Sequence, residues 1–303
     1  MTAWIDTNAL MIQGTFVSFL LALSLQVPFR WGVFSFAGLG AYTIGAYASG
    51  ILFLRLGVST WAGIFAGAML AAVVCYAFAF LVSRLGGLYL GMATIAFDLI
   101  LAVLALNGAP LTGNGGTLFG VLGEITTAQV LLVSTIVAAL LSLTERGRIG
   151  RQVEAASADP ELALAMGIRV VTLRRISFAL SGVLGGLAGG ISIMISTTVS
   201  PTAVGFHLII TALTMIIVGG TRSWFGALIG AVILTWMPEL LHVAKDWKVV
   251  IFGLIVTLLA VWLPEGLLGL GVRIYRWSKS TARQPTDTTV PTEALRSPKA
   301  ARS

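Results

Sequence analysis

Charge is what this sequence has least of. Asp, Glu, Lys and Arg make up 10% of its 303 residues, against about 25% in a soluble domain. Too little polar surface remains to face water. With 57% hydrophobic residues and a mean hydropathy of +0.96, the bilayer is the expected solvent. Cysteine is nearly missing too. Cys75, the single one, lies inside an apolar run and excludes both an internal disulfide framework and a thiolate metal site. The two histidines, His207 and His242, sit near span ends with no Cys or acid at metal-ligand spacing, so they read as interfacial residues. The sequence holds no GxxxxGK[ST] phosphate loop and no Ser/His/Asp arrangement placed for a membrane hydrolase. The chain is therefore expected to be neither an enzyme nor an ATP binder. The net charge of +7 does not signal nucleic acid, because the basic residues cluster at the ends of apolar runs.

Those runs are what the sequence has in abundance. A span needs about 20 mostly apolar residues to cross a core about 30 Å thick. Nine stretches qualify: 8–27, 32–54, 61–82, 87–106, 127–143, 174–198, 204–219, 224–242 and 247–263. Pro28, Gly57, Gly86, Gly87, Pro110, Pro201, Gly219, Gly220 and Pro264 punctuate them. The fold class expected is all-α, a polytopic membrane protein with about nine (8–10) transmembrane helices and a short cytoplasmic helix. Residues 1–7 lack a basic n-region and the first run is full length, so no cleavable signal peptide is expected. Residues 1–277 read as one transmembrane domain, and the Pro/Ser/Thr-rich residues 278–303 as a disordered cytoplasmic tail.

Charge fixes the expected orientation. With the N-terminus outside and the C-terminus in the cytoplasm, 16 of the 19 Lys and Arg fall on the cytoplasmic side. Only Arg55, Lys245 and Lys248 fall outside, as the positive-inside rule expects. Trp61, Trp224, Trp247, Trp262 and Trp277 lie near span ends, where interfacial anchoring accounts for them.

Three features inside this frame carry chemistry. In the sixth run, Gly182, Gly186 and Gly190 fall on one helix face and Gly185 and Gly189 on another, a spacing for close helix packing. Gly226 and Gly230, and Gly38, Gly45 and Ala46, read the same way. Asp98 is the one acid near the middle of a span. At that depth a carboxylate costs about 2.5–3.5 kcal/mol on insertion scales. It is either a polar group on a transport path, with Thr94 one turn earlier, or a structural residue, hydrogen-bonded to another helix or simply a protonated acid. The third feature is "GRIGRQVEAASADPELALAMGI", residues 147–168, a charged, alanine-rich interruption between two apolar halves. Asp159 suits an N-cap, Pro160 the first helical position and Glu161 the positive end of the helix dipole. Gly167 suits a left-handed stop after Met166. A helix of about two turns is expected there, preceded by a second piece around 151–157. The small Ala155, Ala156, Ala158 and Ala163 are expected to leave a low surface that fits a partner's groove.

In order along the chain, "GLGAYTIGAY" (38–47), "GLYLGMATIAFDLI" (87–100), "LTGNGG" (111–116), the 147–168 segment, "VSP" (199–201), "MIIVGGTRSWFGALIGA" (215–231), "PEL" (238–240) and "LPEGLLG" (263–269) form a set. Together they resemble the integral-membrane permease subunits of bacterial ABC uptake systems for branched-chain amino acids, specifically the larger-loop member of the usual permease pair. The resemblance implies a multi-pass protein of the bacterial inner membrane that binds no cofactor itself. ATP and Mg would sit on two partner ABC ATPases in the cytoplasm. A homologous second permease subunit, a periplasmic binding protein and membrane lipid complete the implied partners. It implies ATPase coupling through Glu154, Ala155, Ala158, Asp159, Pro160, Glu161, Ala163, Ala165, Met166 and Gly167. A substrate path would draw on Tyr89, Thr94, Asp98, Thr112 and Thr211. Two departures bear on the solute. Arg30-Trp31-Gly32-Val33 stands where the family usually has a Ser-x-Gly-His or Ser-x-Gly-Gln turn, and Thr211 stands where it commonly has an acid. Branched-chain or other amino acids, urea and short amides all fit the implied scaffold. The rival reading is an ion-coupled secondary transporter acting alone, which would want several intramembrane ionisable residues. This sequence offers Asp98.

Overall fold

Helix follows helix through the computed structural model, which describes residues 8–108, 117–121, 123–200, 204–221, 223–240, 253–254 and 257. The elements are α1 (Ala9–Arg30), α2 (Ala37–Leu56), α3 (Thr60–Leu81), α4 (Gly87–Asn107), β1 (Leu118–Phe119), α5 (Thr127–Arg146), α6 (Arg148–Ala158), α7 (Pro160–Ala165), α8 (Val170–Ser196), β2 (Thr198–Val199), α9 (Phe206–Gly219) and α10 (Trp224–Leu240). The two short strands pair antiparallel, Leu118 opposite Val199, and tie two connecting loops together.

Six helices, α1 to α5 and α8, are long and apolar enough to cross a membrane. This is the polytopic all-α fold expected. The count of nine is not reached among the described residues. α9 and α10 are apolar but have 14 and 17 residues, about 21 and 26 Å at the helical rise. The chain bends at Gly205 before α9 and turns at Gly220 (φ +101°) after it, and Leu240 is the last described residue of α10. The ninth expected span, 247–263, lies outside the described residues except 253, 254 and 257, and the tail 278–303 lies wholly outside.

α8 is the central post. It is the most buried of the six candidate spans and packs on α1, α2 and α3. Its two glycine faces serve two different neighbours. A side chain on Gly185 or Gly189 would run into the backbone of α2 at Gly38 and Tyr42. One on Gly182 or Gly186 would meet α3 at the Cα atoms of Ala72 and Ala68, both at 2.7 Å. Without a hydrophobic force between helices in lipid, such backbone approach supplies the contact that holds them. α9 and α10 cross the same way through Gly219, Gly226 and Gly230.

Two expected boundaries move, each for a physical reason. α1 runs through Pro28 to Arg30. A proline at 28 leaves the carbonyl of Ser24 without its helical donor, and the hydroxyl of Ser181 on α8 donates to that carbonyl at 2.6 Å. A side chain from a neighbouring helix thus repairs the break. α8 begins at Val170 rather than 174, four residues earlier and just past the polar segment 147–168. Its 27 residues span about 40 Å, longer than the apolar core, so its basic foot stands clear. There Arg174 donates to the carbonyl of Leu85 at 3.2 Å, and the Arg175 guanidinium lies 3.9 Å over the Phe80 ring.

Candidate functional site

The polar interruption folds as anticipated in its local detail. The Asp159 carboxylate accepts from the backbone N–H groups of Glu161 (3.0 Å) and Leu162 (3.1 Å), and Pro160 opens α7. At the other end Gly167 takes φ +81°. Ile168 N–H donates to the Ala163 carbonyl and Gly167 N–H to Leu164, each at 3.0 Å. Those two bonds make a Schellman closure. Both ends of a very short helix are therefore fastened, which α7 needs because isolated helices of this length do not hold in water.

The surface of this pair differs from the expected one. Ala156 and Ala163 are buried, packed with Val170 at the foot of α8 against Ile168 and Leu173. Ala163 is fully covered and cannot meet a partner. Alanine is used here to bring α6, α7 and α8 together. What faces outward is larger: Leu162, Leu164 and Met166 are 57%, 54% and 61% exposed. Glu154, Ala158, Asp159, Pro160, Glu161, Ala165 and Gly167 are exposed beside them, and Ala155 is half-buried. Leu162 and Leu164 carry no helix-start or stop signal, and only the alternation "ELALAM" hinted at them.

α6 also leans on the membrane domain at a point absent from the sequence reading. Gly32, in the turn after α1 with φ +71°, lies so close to α6 that a Cβ on it would stand 3.0 Å from the Cα of Ser157. Residues 33–36 follow without helix, and α2 starts only at Ala37. The expected span from 32 is corrected on this point. The start of α2 lies inside the bundle, against α4. Phe36 N–H donates to Thr94 Oγ1 at 3.0 Å, and Gly40 N–H donates to Asp98 Oδ1 at 2.8 Å. Thr94 and Asp98 lie about 10 and 16 Å along α4 from its Gly87 end. A helix start at such depth has orphan N–H groups and a positive dipole end with no water to receive them. The hydroxyl and the carboxylate meet that need. The interhelical hydrogen bond, one of the readings of Asp98, is present here. The residue is 3% exposed, and its Oδ2 has no partner among the described residues.

Tyr89 and Thr211, the other pathway candidates among the described residues, do not join this pair. Tyr89 is 76% exposed at the first turn of α4, on the opposite side from the buried Leu90, Thr94 and Asp98 face. Thr112 lies outside the described residues. Thr211 sits on α9, where its hydroxyl donates to the His207 carbonyl at 2.9 Å. Thr214, one turn on, donates to Ile210 at 2.7 Å. His207, Thr211 and Thr214 share one incompletely buried face, while Ile209, Ala212, Met215 and Ile216 are buried on the other. Thr214 escaped notice in the sequence, although its spacing from Thr211 is helical.

One more polar side chain holds the same end of the bundle. Gln26, buried on α1, donates from Nε2 to the carbonyls of Ser223 (2.7 Å), Thr221 (3.2 Å) and Gly220 (3.3 Å). It fastens the α9–α10 turn to α1. A glutamine within an apolar run was its available signal. At the far end Gln13 donates to Thr127 Oγ1 at 3.0 Å and so ties α1 to the start of α5.

Comparison with known proteins bears on this arrangement. The family described as branched-chain amino acid transport system / permease component matches residues 9–261. The high-affinity branched-chain amino acid transport system permease protein LivM of Salmonella typhimurium is 26% identical over 289 residues, covering 84% of this chain and 68% of that protein. LivM of Escherichia coli K12 gives the same figures. The permease protein LivH of the same transport system in Escherichia coli K12 is 27% identical over 271 residues, covering 78% of this chain and 86% of that protein. No solved structure matches.

Proposed function

This chain belongs to the family of permease components of branched-chain amino acid transport systems, and from that membership we propose that it is the membrane subunit of an ATP-driven importer. It is a transport subunit and not an enzyme, as its relatives are. The observation that carries the ATP-driven reading is the α6–α7 pair. The pair, in which α7 is capped at both ends, presents Leu162, Leu164 and Met166 outward while Ala156 and Ala163 root it on α8. Exposed apolar side chains on a polar segment are what a docking partner covers. Two cytoplasmic ABC ATPases fill that role, holding ATP and Mg themselves. The side carrying 147–168 is then the cytoplasm, in the inner membrane, with the N-terminus outside.

Similarity to both LivM and LivH supports pairing with a homologous second permease. The apolar faces that α3, α4 and α5 leave open suit lipid and that partner. ATP binding would close the ATPases and push α6 and α7. The push reaches Gly32 directly through Ser157, then residues 33–36 and the start of α2. The cap from Thr94 and Asp98 makes that start a rigid receiver. The face of α9 bearing His207, Thr211 and Thr214 is the polar surface we assign to the solute path between the permease subunits. The solute is a small polar one, branched-chain amino acids first, delivered by a periplasmic binding protein. The test is co-purification of the ATPases with Leu162→Asp and Met166→Glu variants. Loss of the ATPases with an intact permease pair is expected. Retention by both variants would remove the docking role.

A further inference from the structure

On the side of the bundle that carries α6 lies a cavity of about 450 Å³ that the transport reading leaves unused. Its size is in the range of small-molecule sites, about 300–1,000 Å³. Five helices wall it: α1, α5, α6, α8 and α10. Leu23, Val27, Leu141 and Leu180 give it an aliphatic surface. The lining also carries both signs of charge, Arg30 from the end of α1 and Glu154 from α6, with the hydroxyls of Thr144 and Ser157. Arg30 has an interaction of its own within the chain, and a guanidinium's five N–H donors leave capacity for a second partner.

We infer that this cavity is a binding site for a small zwitterion with an aliphatic side chain. Glu154 would receive the ammonium and Arg30 the carboxylate as charge-assisted hydrogen bonds. The aliphatic wall would cover the side chain, with Trp31 and Trp224 closing it. A molecule held there touches both the moving and the fixed parts of the protein. Val153 and Glu154 belong to α6, while Thr221 belongs to the turn that Gln26 ties to α1. Its occupancy favours the arrangement in which α6 lies against the bundle, and a ligand that binds one arrangement better shifts the population toward it. The product of import, accumulating on this side, then slows further import. The choice of L-leucine as probe rests on the proposed transport function; the cavity's chemistry does not.

Calorimetry of the permease–ATPase complex in nanodiscs, without binding protein, tests the site with L-leucine, N-acetyl-L-leucine and L-leucinamide. Saturable binding of L-leucine is expected, with both blocked probes at least tenfold weaker. Thr144→Trp, which adds bulk to the lining from α5, is expected to abolish it. Glu154→Gln, an exposed and fold-neutral change, is expected to weaken it at least tenfold. No saturable binding, or binding unchanged in both variants, overturns the inference. So does a phospholipid retained by the parent complex and lost from Thr144→Trp in native mass spectrometry. Leucine uptake driven by the binding protein, measured on the same preparation, separates the two readings. Uptake without cavity binding overturns this site alone. Absence of uptake for every amino acid tested counts against the transport function, and the calorimetry still decides the cavity.

Discussion

Replacing Asp98 separates a fastening carboxylate from a transporting one. In the structure it gives one acceptor oxygen to Gly40 N–H at 2.8 Å, at the start of a helix inside the bundle. Asparagine keeps an acceptor in the same place and nearly the same volume, so Asp98→Asn is expected to cost less than about 1 kcal/mol, the net worth of an ordinary hydrogen bond. Alanine removes the acceptor and leaves a buried donor unmet, about 1–3 kcal/mol. For domains of 150–250 residues a kcal/mol moves the melting temperature by about 2–4 °C, so Asp98→Ala is expected to melt several degrees lower. The assay is thermal unfolding of the purified permease pair, run beside uptake by the reconstituted complex. Uptake of Asp98→Asn is expected within about fivefold of the parent, since an interaction worth under about 1 kcal/mol changes a rate by no more than that. A variant that melts like the parent but transports tenfold less would refute the reasoning and put the carboxylate on the solute path.

Other substitutions probe the remaining joints. Gly189→Leu drives a side chain into the Tyr42 carbonyl on α2, so loss of folded protein is expected in size-exclusion chromatography, beyond the about 1–3 kcal/mol of ordinary overpacking. Ser181→Ala leaves the Ser24 carbonyl without the donor that compensates for Pro28. A loss of about 1–3 kcal/mol is expected, read as a lower melting temperature that Ser181→Thr restores. Ala163→Trp is expected to break the α6–α7–α8 packing itself, because Ala163 is fully buried. Limited proteolysis should then cut within 147–168, and a segment as resistant as the parent's would contradict the packing.

How much of this was legible in the sequence follows the range of the forces. Local rules sufficed for α7: a capping aspartate, a proline at the first position and a glycine stop act within a few residues, and all three appear in the structure. The glycine spacing of α8 marked two faces, though not that one meets α2 and the other α3. Contacts between distant segments were out of reach. That Ala163 faces inward depends on where α8 lies, and the late start of α2 depends on donors and acceptors 58 residues apart. Pro28 read as a breaker because its remedy, Ser181, is on another helix. Asp98 was conspicuous for its depth, but a lone acid in an apolar run looks the same whether it faces a solute or a helix start.

The central claim is that ATP hydrolysed by partner subunits moves solute through this chain. The direct measurement is solute uptake into proteoliposomes holding the permease pair, the ATPases and the binding protein. Uptake is expected to require ATP, to persist when an ionophore collapses ion gradients, and to fail with Leu162→Asp. Uptake that survives ATP depletion and collapses with the ionophore would contradict the account and establish an ion-coupled transporter instead.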